Sequence, residues 1–424
     1  MIKSKDLTLN SLWFALSKLN TLLSGVVFFV ILTRYIDKGV VGAFTYAQSI
    51  IAISAVFVSF GLSTSIVKQF SETPLNIKNI IRSVIAFQMI AAFVVIVFLY
   101  LNFHENNLIV IILSFTLLFK CSEVFKTFFD YNLSSKKYYK AELLILVLTT
   151  IFKIIVLLYT GDIIFVCVII LLESMVIFLI MLRMFNKNVS MYNNSVKVNF
   201  KEILRDAFPV LISSSIFIIY SRVDQLMVYN MSGDESQALY ASAVKLSEGW
   251  YFIPLGVVTS YYSILANNKN DDNYFNYFSD ACLKVNSITI PAAILITLFS
   301  KQLISILYGD SYIESAAILT IHVWNGVIIG LSSLTFRHFI IAGYRKLSIY
   351  RALIGLLLNI VLNFILIKQF GVIGAAISTL ISQFIALFLS NLIWKTTRNI
   401  FLIQLKSLFF IKYRVSNEIC TSRQ

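Results

Sequence analysis

The sequence predicts an all-α membrane protein of about 12 transmembrane helices, arranged as two six-helix lobes around a central cavity. Three observations lead there. Of 424 residues, 58% are hydrophobic and 13% charged, with a mean hydropathy of +0.83, more apolar surface than a soluble core of this size can hide. Apolar stretches, most of them about the 20 residues a helix needs to cross hydrocarbon, recur from Ser11 to Trp394 with short polar loops between them. The longest internal interruption, the basic segment 184–206, divides these stretches six and six.

In chain order the expected spans are 11–32, 43–62, 83–101, 108–128, 143–160 and 163–182, then 207–229, 239–265, 285–307, 316–335, 352–367 and 372–394. The first carries Ser11, Ser17, Lys18, Asn20, Thr21 and Ser24, a polar side that lipid would not favour. The second and eighth open on related segments, Gly42-Ala-Phe-Thr-Tyr-Ala-Gln-Ser49 and Ala238-Leu-Tyr-Ala-Ser-Ala-Val-Lys245, as a repeat between halves would. Gly161-Asp162 turns the fifth span into the sixth. Pro209 lies near the start of the seventh, where it disrupts little, whereas Pro254 with Gly256 in the eighth and Pro291 in the ninth can kink their helices. The run Trp250-Tyr251-Phe252 fits either core packing or the lining of a sugar path. The implied division is an N-terminal lobe 1–183, a connecting segment 184–206, a C-terminal lobe 207–394 and a basic tail 395–424.

Charge sets the orientation. About 27 of the 35 Lys and Arg fall at the N-terminus, in the even-numbered loops such as 134–140, 183–205 and 344–346, or in the tail. The opposite loops read His104-Glu-Asn-Asn107, Gly161-Asp162 and Ser232-Gly-Asp-Glu235. Both termini are therefore expected in the cytoplasm, and the net charge of +14 is a topological signal that meets the anionic inner leaflet. Dispersed over several loops, these cations make no nucleic-acid surface. Lys3 and Lys5 lead into a first span too long for a cleaved signal peptide.

No outside loop exceeds about ten residues, so the long external loop of a membrane glycan polymerase is missing, and no nucleophile, phosphate loop or exposed carboxylate pair marks an enzyme. Cys121, Cys167, Cys282 and Cys420 are scattered, and His104, His322 and His338 stand at no ligand spacing. The expectation is no cofactor, no metal and no disulfide, with proton or sodium coupling left open.

Lys18, Lys153, Glu173, Arg222, Asp224, Lys245 and Glu248 fall inside expected spans, where an unpaired charge costs about 3 kcal/mol at the helix centre. Lys153 and Glu173 lie eight residues before and twelve after Gly161, so a tight hairpin brings them to depths that differ by about 6 Å. They fit a structural pair or a proton-handling one. Arg222, Asp224 and Lys245 lie at similar depth around the turn near Met231, with Glu248 one turn beyond Lys245 on the same face. Lys18, Arg222 and Lys245 are the candidate substrate-binding residues, for an anionic ligand; Lys153, Glu173, Asp224 and Glu248 are candidates for ion coupling or structural pairing.

Several segments resemble one family: Asn10-Ser-Leu-Trp13 with Arg34-Tyr-Ile-Asp-Lys-Gly-Val-Val-Gly42; Val223-Asp-Gln225; Leu307-Tyr-Gly-Asp-Ser-Tyr312; and Asn359-Ile-Val-Leu-Asn-Phe-Ile-Leu-Ile367 continuing through Phe370-Gly-Val-Ile-Gly-Ala-Ala376 to Thr379. They are similar to the polysaccharide-transporter branch of the multidrug/oligosaccharidyl-lipid/polysaccharide superfamily, the O-antigen and capsule flippases. The resemblance implies a multi-pass protein of the bacterial inner membrane that carries undecaprenyl-diphosphate-linked oligosaccharide between leaflets by alternating access, with other glycan-assembly membrane proteins as potential partners. A multidrug and toxin extrusion antiporter of the same superfamily is the alternative, although carboxylates should dominate its cavity. Gly371 and Gly374 suit a tight turn, and Asn359 and Asn363, one helical turn apart, can hydrogen-bond across helices.

Overall fold

A backbone in hydrocarbon must satisfy its own hydrogen bonds, which apolar segments do by forming helices. About nine-tenths of the described residues are helical, and they contain no strand. The computed structural model describes residues 4–73, 76–103, 107–132, 134–189 and 199–413, excepting the side chains at 4–12, 14, 15 and 137. Outside it lie Lys3, the centre of the loop at His104, the middle of the connecting segment at 190–198, and the end of the tail with Cys420; of Asn10 to Leu12 only the backbone is described.

The chain divides into two compact units, Met1–Arg222 and Val223–Gln424. The first contains α1 (Ser4–Tyr35), α2 (Lys38–Ser59), α3 (Leu62–Glu72), α4 (Ile77–Phe103), α5 (Leu108–Ser114), α6 (Ser122–Tyr131), α7 (Ser135–Thr160), α8 (Ile163–Asn188) and α9 (Phe200–Tyr220). Asp37 starts α2 by accepting the Gly39 N–H at 2.8 Å, and Asp162 starts α8 by accepting that of Ile164 at 2.8 Å. The expected second span is broken at Phe60 and Gly61, both at positive φ. Their turn brings α3 against α9: a Cβ on Gly61 would stand 2.9 Å from the Leu211 nitrogen, and Lys68 Nζ lies 2.8 Å from Asp206. An aromatic core of Phe70, Phe125, Phe128, Phe129, Tyr138 and Phe185 fills the unit around these helices.

The second unit contains α10 (Val223–Ser232), α11 (Asp234–Gly249), α12 (Phe252–Asn267), α13 (Tyr274–Leu298), α14 (Ser300–Tyr308), α15 (Ser315–His322), α16 (Asn325–Ile341), α17 (Arg345–Gln383) and α18 (Arg398–Leu408). Between α17 and α18 run a π-turn at Phe384–Phe388 and a 3-10 turn at Leu389–Leu392. Arg351, 3% exposed, donates from Nε to the Ala386 carbonyl at 3.2 Å and from a terminal nitrogen to that of Leu387. It thus satisfies oxygens beside the irregular turn. Gly371, at φ 58 and ψ −139, reverses α17 midway, and a Cβ at Gly374 would collide with the Leu366 carbonyl oxygen, so the expected turn is real and both glycines are required.

Ten helical stretches among the described residues are long and apolar enough to cross a membrane. The difference from twelve has two sources: expected spans eleven and twelve form one stretch, Arg345–Leu392, and the eighth is split into α11 and α12. Three further expectations change. The units part at Arg222, not at the basic segment, because α9 packs on α2 and α3. Pro209 is interior to α9, which begins at Phe200 and so earlier than hydropathy placed it. The tail is folded through Tyr413, since α18 packs along α13.

Candidate functional site

In the first unit, helical spacing puts Thr149 and Lys153 on the face of α7 toward α8. Glu173 Oε2 there accepts from Lys153 Nζ at 2.8 Å and Thr149 Oγ1 at 2.7 Å. The Lys153 ammonium lies 5.7 Å above the Phe28 ring of α1, and its side chain is 11% exposed. Two opposite charges and a hydroxyl thus neutralise one another within the apolar stretch. Toward the start of α7, Glu142 pairs with Lys126 of α6 and accepts from Ser17 of α1 at 3.5 Å. Its neighbour Lys18 is exposed on α1. Glu142 was not among the expected site residues because the hydropathy boundary at 143 left it just outside a span.

In the second unit three segments far apart in sequence converge on one carboxylate. Asp224, 5% exposed, accepts from Tyr240 Oη at 2.6 Å and from Thr379 Oγ1 at 3.4 Å, both through Oδ2, while Oδ1 accepts the Gln225 N–H at 2.8 Å. Asn359 Nδ2 reaches Thr379 and Ser382, each at 3.3 Å, and its own oxygen accepts from Asn363 at 2.9 Å. The network exists because α10 and α11 pack on α17 just where α17 has reversed at Gly371. Behind it the Tyr240 ring meets His322 edge-on, centroids 6.2 Å apart, and His322 Nδ1 lies 2.9 Å from Ser247 Oγ.

The expected charged group is therefore distributed. Arg222 occupies the two-residue break between α9 and α10 and is half-buried, and Asp224 sits in the network. Lys245 and Glu248, both half-buried, lie about 7 and 12 Å farther along α11 than Tyr240. Tyr240 and Thr379 were missed as site residues. The signal for Tyr240 was its place in the segment repeated between halves, and for Thr379 its place in the family-like segment. Trp250 does pack inward, 8% exposed, its ring against Gly326 so closely that a Cβ there would clash.

Chemically, a buried carboxylate among hydroxyl and amide groups can hold a proton or a small hard cation. No group of three or more His, Cys, Asp or Glu among the described residues is placed to hold a metal ion.

Comparison with known proteins adds the following. The model of the family described as polysaccharide biosynthesis protein matches residues 7–265, and that of the MatE family matches residues 209–365. The capsular polysaccharide biosynthesis protein CapF of Staphylococcus aureus is 24% identical over 379 residues, 86% of this chain and 94% of that protein. An uncharacterized membrane protein of Methanocaldococcus jannaschii is 23% identical over 209 residues, 47% of this chain; the match spans only 48% of that relative's length. Among solved structures, the lipid II flippase MurJ in an inward closed conformation superposes with a TM-score of 0.70 at 18% identity, covering 97% of this chain and 94% of that one. An inward-facing multidrug resistance transporter of the MATE family gives 0.66 at 16% identity, covering 92% and 95%. At these identities the likeness is one of fold.

Proposed function

The chain belongs to the polysaccharide biosynthesis protein family, and from that premise we propose that it is a flippase for lipid-linked oligosaccharide. Its substrate is an undecaprenyl-diphosphate-linked repeat unit of the O-antigen or capsule type, moved from the cytoplasmic to the outer leaflet by alternating access. The observation that carries this reading is the placement of charged side chains at buried or half-buried positions in helices of both units, Lys153 with Glu173 in one and Asp224 in the other. Such groups are the usual mark of a polar path through a bilayer. The diphosphate and sugars need that path, whereas the polyprenyl chain remains in lipid. Arg222, Lys245 and Lys18 are the cations for the diphosphate. Asp224, ringed by Tyr240 and Thr379 oxygens, is the group to take up the coupling proton or sodium ion.

The test is reconstitution into vesicles with a lectin-detectable oligosaccharide on polyprenyl diphosphate. Protein-dependent appearance of sugar on the opposite face is the expected result. Arg222→Ala with Lys245→Ala should reduce it at least tenfold at unchanged protein content. No transport by intact protein over a range of glycan structures, with or without an ion gradient, would overturn the reading. The MatE match over residues 209–365 favours a second one, efflux of organic cations; ion-driven cation efflux in the same vesicles would select it.

A further inference from the structure

The residues after the last apolar stretch make a hairpin along α13. Ser407 Oγ accepts from Asn286 at 2.9 Å, and Lys412 pairs with Asp280 at 2.7 Å. The Tyr413 N–H donates to Ser279 Oγ at 3.2 Å. Because Ser279 and Asn286 are seven residues apart on one helix, the chain returns about 10 Å toward the start of α13 between Ser407 and Tyr413. The tip of the hairpin is therefore Phe409–Ile411, level with the middle of the span Tyr274–Leu298. On its way in, α18 is fastened by polar side chains: Gln404 donates to the Leu331 carbonyl at 3.1 Å and to Thr335 at 2.8 Å, and accepts from Asn391 at 2.9 Å.

The tip has the properties hydrocarbon demands. The N–H groups of Phe409 and Phe410 donate to Lys406 and Ser407, and that of Ile411 to Lys406, at 3.0–3.1 Å. Phe410 does so at φ 58, an unfavourable conformation for a bulky residue. It leaves Phe409, Phe410 and Ile411 exposed by 70%, 53% and 54%. Arg398, Leu402, Lys406 and Phe409 follow one another on the outer face at helical spacing, all exposed. Lys406 folds over the Tyr413 ring at 4.4 Å. At the entrance stand Lys395 and Arg398, the latter donating from Nε to the Leu392 carbonyl at 3.2 Å. The sequence from Lys395 to Tyr413 holds four cations and no acid.

We propose that this hairpin dips into one leaflet and binds an anionic phospholipid there. Lys395 and Arg398 hold the phosphate, and Leu402 with Phe409–Ile411 take the acyl chains. Near the tip Lys406 folds over Tyr413 and Lys412 pairs with Asp280. Lys395 and Arg398 are therefore the cations at the entrance and Leu402 with Phe409–Ile411 the apolar groups beyond it, an order that matches one phospholipid molecule. The absence of acids from the segment itself selects a net negative headgroup. Arg351, seven residues along from Tyr344 of the basic loop Tyr344-Arg-Lys346, donates to the Ala386 and Leu387 carbonyls shortly before the entrance, which sets the entrance toward the face the basic loops assign to the cytoplasm. The assignment stands independently of what the protein transports.

Native mass spectrometry of the full-length protein, equilibrated with equal phosphatidylglycerol and phosphatidylcholine, tests it. Retention of phosphatidylglycerol about tenfold above phosphatidylcholine is expected. Lys395→Gln with Arg398→Gln should abolish that preference, Phe409→Ser should lower retention of both lipids, and Lys412→Gln should leave the preference intact. If the double variant fails to fold, the single exposed change Lys395→Gln should still reduce the preference several-fold. Equal retention by the intact protein, or an undiminished preference in the folded Lys395 and Arg398 variants, would overturn the proposal. Displacement of phosphatidylglycerol by equimolar undecaprenyl phosphate would likewise replace the phospholipid with an isoprenoid phosphate.

Discussion

Asp224 illustrates how a single side chain sets requirements on distant ones. A carboxylate only 5% exposed needs donors, and Tyr240 supplies the shortest side-chain one at 2.6 Å. Tyr240→Phe keeps the ring and removes the donor, so thermal melting of the purified protein should show a loss of about 2 kcal/mol. Asp224→Asn should keep membrane abundance near normal and cut ion-driven transport at least tenfold. Lys153 and Glu173 obey the same logic with a partner of opposite charge. Lys153→Glu or Glu173→Lys alone leaves two like charges and should cost about 3–5 kcal/mol, while the exchanged double variant should recover much of the lost abundance on membrane immunoblots. A double variant no better than the worse single one would count against a structural pair. Lys153 and Glu173 could be matched from sequence because a two-residue turn fixes their depths. Tyr240 could not be matched to Asp224, since an aromatic residue in an apolar run looks like any other, and its hydroxyl is placed only by packing of α11 against α10 and α17.

At the scale of elements, hydropathy found what depends on length and apolarity alone: the long helices and the turn at Gly161. It could not find the breaks at Phe60-Gly61, Trp250-Tyr251 and Ser221-Arg222, because each lies inside an apolar run and is fixed by what packs against it. Pattern reading did better at Gly371 and Gly374, where backbone geometry itself excludes a side chain. Gly374→Ala is expected to lower stability by about 1–3 kcal/mol, since the obstacle is a backbone oxygen that cannot rotate away. A comparable change at Gly256, which has nothing within 4 Å of a built Cβ, should be nearly neutral. Thermal melts of the two variants side by side would separate the cases; equal melting temperatures would show that the turn relaxes.

For the whole molecule, the distribution of basic loops predicts that both ends lie on one side of the membrane. Reporter fusions after Gln424 and within Ser232–Ser236 should sit in opposite compartments, and a shared compartment would require a different number of crossings. The partition at Arg222 adds a consequence for biosynthesis. A ribosome releases α1 to α8 first and only later α9, which begins within the basic segment at Phe200 and whose Val210 and Leu211 fit against Gly61 and whose Asp206 meets Lys68. The first unit must therefore wait, incomplete, until α9 emerges and docks. Nascent chains halted before residue 199 should be cleared by quality-control proteolysis, whereas chains halted after residue 222 should persist in the membrane. The stretch that looks in sequence like a border between halves thus leads into the late-arriving helix that finishes the early half.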